Sequence, residues 1–131
     1  AGEEMWRKLV SKHKNVFMVL CGHSSGEAVL TSKGDHGNQI HQVLSDYQNL
    51  HNGGESWLRY MVFEPNENKI KVYTYNPALK KFRDGPSSRF DLDYLMAGGK
   101  KIFWKTLPPK FFQATESNRP SVLCPPPIGF S

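Results

Sequence analysis

Cysteine is scarce in these 131 residues: Cys21 ends a short apolar run and Cys124 sits in "VLCPPP". No CxxC pair occurs, which excludes the zinc sites built on that spacing. Two isolated cysteines read as buried or incidental thiols in a reducing compartment. Long apolar runs are missing as well. No stretch approaches the roughly 18 residues of a membrane-spanning helix. The opening "AGEEMWRKLV" is acidic, then basic and only briefly apolar, unlike a secretory leader. These absences point to a soluble, cytoplasmic protein with no membrane partner. There is no acidic excess either, since 17 Lys and Arg against 12 Asp and Glu leave a formal net charge of +5. The lysines come as spaced pairs in "RKLVSKHK", "NKIKVY", "LKKF" and "GGKKIFWK", a solvated surface rather than one dense block. A basic surface of this kind keeps an anionic ligand open. Familiar catalytic signatures are absent: "GHSSG" is not Gly-x-Ser-x-Gly, and "GGKK" lacks the rest of a phosphate loop.

What the chain does contain is aromatic mass. With 8 Phe, 5 Tyr and 3 Trp beside 38% hydrophobic residues, it can bury a core without staples. Its length fits one domain. Met5, Trp6, Leu9 and Val10 form the stripe of an amphipathic helix, with Glu3 and Glu4 in its first turn and Lys12, His13 and Lys14 in its last. Val16 to Leu20 reads as a strand apolar on both faces, hence central in a sheet. A series of β-hairpins follows. "EAVLTS" is strand-like, and "KGDHGN" is a turn whose Gly34 and Gly37 can take positive φ. "QIHQVLSDY" sets Ile40, Gln42 and Leu44 against His41 and Val43. "WLRYMVF" is strongly β-forming, and "IKVYTY" alternates Ile70, Val72 and Thr74 against Lys71, Tyr73 and Tyr75. "RFDLDY" makes a last strand with Phe90, Leu92 and Tyr94 on one face. From residue 95 the chain matches neither period and holds most of the prolines, an irregular tail that would dock through "IFW" and "FF". The expected fold class is therefore α+β: one N-terminal helix, a mainly antiparallel sheet of about five or six strands over residues 1–94, and a tail over 95–131. The lysines and aromatics of "KVYTYNPALKKF" could stack on single-stranded nucleic acid, but strand aromatics that alternate are core first, so a nucleic-acid partner is the lesser reading.

Several phrases of residues 1–94 together resemble the C-terminal segment of a calcineurin-like metallophosphoesterase of a bacterial branch. They are "VFMVLCGH", "GNQIHQVLSDYQN", "NGGESWLRYMVFEP", "KVYTYNPAL" and "SSRFDLDY". The resemblance implies half of a β-sandwich flanked by helices. In the full domain two divalent metal ions sit between strand ends, clamp both oxygens of a displacement at phosphorus and acidify a bridging water. By resemblance His23, after Gly22, is a metal ligand, the first histidine of the family's late Gly-His-x-His motif. Ser25 stands where the second histidine would be. The family's Asp-x-His, Gly-Asp-x-x-Asp and Gly-Asn-His motifs do not occur in these residues.

The isolated chain is therefore expected to hold no cofactor and to be a phosphoesterase-derived piece without a complete dinuclear site. The alternatives are an esterase completed by another chain or by dimerisation, and a small β-rich module for an anionic ligand or protein. Possible neighbours of the site are His41, Asp46 and Arg59. His41 reads as a half-exposed structural histidine, Asp46 and Tyr47 as strand-end residues, and Arg59 as the partner of a carboxylate. His13 and His51 read as solvent-facing. A sheet lacking its facing half would bare "WLRYMVF", so a homodimer through that face or a strand edge is expected.

Overall fold

In the computed structural model of the protein, which describes residues 2–96, a short helix precedes seven strands in two sheets, an α+β fold. Helix α1 spans Gly2–Lys8, with Glu3 and Glu4 in its first turn and Arg7 and Lys8 in its last. That order complements the helix dipole, and Lys8 pairs with Glu4 one turn back. The helix stops earlier than the stripe suggested. Leu9 leaves the helical region at φ −128°, and Val10–Lys12 form a separate 3-10 turn. Met5 and Leu9 are consequently half exposed, while Val10 is buried.

Strand β1 (Met18–Cys21) lies parallel to β3 (Gln39–Asp46), and β2 (Gly26–Lys33) lies antiparallel to β3 on its other side. The central strand is therefore β3, not the apolar run at 16–20. Leu20 is 68% exposed on the edge strand, whereas Ile40 to Leu44 are buried on both faces of β3. The hairpin between β2 and β3 turns through Gly34–Asn38, closed by hydrogen bonds from Gly34 N to Asn38 O and from Gly37 N to Gly34 O. Gly37 takes φ +76°, as the turn requires. Gly34 has no such φ; there a Cβ would come within 2.6 Å of Asn38 Oδ1.

The second sheet is built on β5 (Lys69–Asn76). Strand β4 (Leu58–Glu64) covers one of its edges, and β6 (Lys81–Arg83) and β7 (Phe90–Asp93) share the other. Burial alternates along β5 as the sequence pattern indicates: Ile70, Val72, Thr74 and Asn76 point inward, Lys71, Tyr73 and Tyr75 outward. Val43 of the first sheet meets Ile70, Val72 and Leu92 of the second, and Phe17, Met18, Val29, Met61, Phe90, Tyr94 and Met96 close around them. Phe17 and Tyr94 stack at 4.1 Å. The inner face of "WLRYMVF" is thus covered at Arg59 and Met61 by the chain's own first three strands, while Phe63 on the same face stays 48% exposed. The expected docking of the tail lies outside the described residues.

Candidate functional site

One end of the sandwich gathers the strand terminus that the sequence singled out. Strand β1 ends at Cys21, the loop Gly22–Ser25 follows, and β2 begins at Gly26, whose register partner is Asp46 at the end of β3. Asp46 Oδ1 accepts a 2.9 Å hydrogen bond from Gln48 N, which bends the chain into the turn closed by Leu50 N on Tyr47 O. Asn49 Nδ2 donates to Ser25 Oγ, so the turn and the loop hold each other. Between them lies an open cavity of about 230 Å³ lined by Ser25, Asp46, Tyr47, Asn49 and Arg83. His23 sits in the loop, exposed, with φ +69°. A left-handed backbone is uncommon for a residue with a Cβ and stores strain. Replacing His23 with glycine relieves that strain, so a His23→Gly variant should melt at the same temperature or slightly higher in a calorimetric scan.

Beneath this end runs a buried charged network. Arg59 on β4 donates from NH2 to Glu27 Oε1 at 2.6 Å and to Ser87 O at 2.6 Å, and from NH1 to Leu44 O at 3.1 Å. Its Nε and NH2 also reach Thr74 Oγ1 at 3.2 and 3.0 Å. Glu27 receives Tyr47 Oη at 2.7 Å, Thr74 Oγ1 at 2.9 Å and Ser88 Oγ at 2.5 Å. The Arg59 and Glu27 side chains are 5% and 10% exposed, so this pair is held in a dry setting. Burial by itself pushes the Glu27 carboxyl up, but the hydroxyls of Ser88, Tyr47 and Thr74 and the Arg59 charge outweigh it and leave Glu27 below its ordinary range. Burial, with Glu27 as its acceptor, keeps the Tyr47 hydroxyl protonated above its ordinary range, against the opposing Thr74 contact. Arg83 adds an outer contact to Glu27 Oε2 at 3.6 Å and lies 4.4 Å over the Trp57 ring.

The structure therefore brings Gly22, His23, Ser25 and Asp46 to one end, with Arg59 below them through Leu44. Glu27 is the carboxylate that the sequence reading expected for Arg59, though it was not named there. Its only sequence signal was an acid inside a short β-forming run. His41 stands apart. It is buried at 3% exposure, not half exposed, because β3 is covered on both faces. Its Nε2 lies 2.8 Å from Asp93 O and its Nδ1 2.8 Å from Thr31 Oγ1. A carbonyl only accepts, so Nε2 donates to it, and Nδ1 is partnered by the threonine hydroxyl; both nitrogens are occupied. His13 and His51 are exposed, as expected. Cys21 is half-buried at the end of β1.

The donor set at this end does not fit a dinuclear metal centre. Asp46 commits one carboxylate oxygen to its turn, and a serine hydroxyl is a poor ligand beside imidazole. Among the described residues no group of three or more His, Cys, Asp or Glu is arranged to hold a metal ion. Nor does any described helix have the length and apolarity to cross a membrane.

Fold and site together define a two-sheet α+β domain with a polar strand-end cluster over a buried ion pair. Among curated proteins the chain is similar to the uncharacterized protein YvnB of Bacillus subtilis (strain 168), 33% identical over 85 residues, or 60% of this chain. The chain spans 7% of the length of that relative. No family model matches the chain, and no solved structure does.

Proposed function

We propose that the chain is the strand-rich part of a calcineurin-like metallophosphoesterase domain, without a complete dinuclear site and without hydrolytic activity of its own. The observation that carries this reading is the placement of His23. It is exposed in a strained left-handed loop directly after β1, at the same sandwich end as Ser25 and Asp46. A strained residue held at a strand end by a rigid substructure is how a fold presents a ligand group, and the Glu27–Arg59 network provides that rigidity. The sequence phrases that resemble the family supply the class of chemistry.

The test is native mass spectrometry of the 131-residue chain purified without chelator, with turnover of bis(p-nitrophenyl) phosphate measured in added manganese. The expected result is no two-metal species and hydrolysis at the buffer rate. Two tightly held divalent ions per assembly, lost together with turnover in His23→Ala, would overturn it. That outcome would favour an esterase completed by a second copy.

Self-association belongs to the same proposal. Among the described residues β1 is an edge strand and Leu20 on it is exposed, the kind of edge through which sheets join. Analytical ultracentrifugation reads the result directly, with a dimer expected.

A further inference from the structure

The outward face of the second sheet is divided sharply along its strands. In one half, Leu58, Tyr75 and Phe82 form one row, with Tyr60 and Tyr73 in the next. In the other half Val62 lies among charged residues that pair with one another, Lys71 with Glu67 and Lys69 with Asp93. Leu58, Tyr60 and Phe82 are 42%, 39% and 42% exposed, and Leu79 at the tip of the β5–β6 hairpin is 66% exposed. The rings lean on one another: Tyr60 stacks on Tyr73 at 5.1 Å, and Phe82 meets Tyr75 at 4.8 Å. Each ring thereby has an aromatic neighbour within the sheet, beside the projecting aliphatic side chains.

The hairpin tip is held firmly. The fully buried Asn76 accepts from Leu79 N at 2.9 Å through Oδ1 and donates to Glu55 O at 2.6 Å through Nδ2. Lys80 takes a left-handed φ of +51°. Lys80 and Lys81 are exposed and, among the described residues, have no carboxylate partner. The tip thus joins an aliphatic projection, two uncompensated cations and a belt of tyrosines.

We infer that this hairpin tip, with the aromatic half-face beside it, docks on an anionic lipid bilayer surface. Tyrosines sit well at headgroup level, leucine and phenylalanine enter the acyl boundary, and lysines are drawn to acidic lipids. Base stacking on nucleic acid needs free ring faces, and the pairing of these rings with one another takes up part of what they could offer. A peripheral contact of this sort needs no spanning segment, and it does not involve His23 or the reading above.

The test is co-sedimentation of the 131-residue chain with phosphatidylcholine vesicles, with and without phosphatidylglycerol. Binding is expected only to the anionic vesicles and should weaken with salt. Lys80→Glu with Lys81→Glu should lower the affinity by about thirtyfold or more, and Leu79→Ser by about tenfold. Lys14→Glu, away from the hairpin, should change it little. Unchanged melting temperatures separate lost docking from lost folding. Three results would each overturn the inference: no binding to either vesicle, binding that the hairpin variants leave intact, or a dimer whose formation the same variants abolish. Tighter, salt-sensitive capture of single-stranded nucleic acid than of vesicles would do so too.

Discussion

Replacing Arg59 with alanine is expected to destabilise the fold by about 3–5 kcal/mol, measured by urea unfolding. The size of the effect comes from what is left behind. Glu27 is enclosed by Tyr47, Thr74 and Ser88, and without the guanidinium its charge stays buried with no cation of comparable reach. Arg83, at 3.6 Å and one-third exposed, compensates only in part. Removing both charges together, as Glu27→Gln with Arg59→Met, should cost less than Arg59→Ala alone, since no unpaired charge then remains. The pH dependence follows from the same network. The folded-state pKa of Glu27 lies below its ordinary 4.5. Its contribution is therefore fully present above that value and lost as pH falls through the depressed one. In Arg59→Ala that acid-side loss should flatten, because part of what depresses the carboxyl has gone.

Ile70→Ala is the second large effect, expected at about 2–5 kcal/mol. Ile70 is fully buried at the centre of the cluster formed with Val43, Val72 and Leu92. Its strand is hydrogen-bonded on both sides, to β4 and to β7, so the backbone has little freedom to close the cavity. A midpoint shift at unchanged urea dependence would identify lost packing rather than a changed unfolded state. A loss below about 1 kcal/mol would mean that the two sheets readjust easily across the gap.

The two effects draw on parts of the chain that were unequally legible in the sequence. The inward face of β5 could be read from "IKVYTY" because alternation is a local property of one strand. The β4 strand was legible in the β-forming residues of "WLRYMVF", and the turn at "KGDHGN" in its glycines. The rank of β1 in its sheet was not. An apolar run on both faces usually marks a central strand, but here β2 and β3 pair first as neighbours, and β1 is left an edge with Leu20 outward. The site divides along the same line. Gly22, His23 and Ser25 lie within four residues of one loop, so their proximity needed no fold. The partner of Arg59 lies 32 residues away and the Asp93 carbonyl that fixes His41 lies 52 residues away. Separations of that kind become visible only once two sheets are in contact. Strand β7 was legible in "RFDLDY", whereas the three residues of β6 fell below the length at which any period can be counted.

The parallel pairing of β1 with β3, in a domain whose other pairings are antiparallel, bears on how the chain acquires its shape. Two hairpins, β2–β3 and β4–β5, close over short turns and can form early, since loop closure costs little at such separations. Strand β1 has no template until β3 is in place, and β7 must return to β5 across the β6 hairpin. Both therefore add late, at the rims of sheets that already exist. The loop that carries His23 is anchored by one of these late additions. Amide exchange in it should follow the opening of β1 and run ahead of the global unfolding that releases β5.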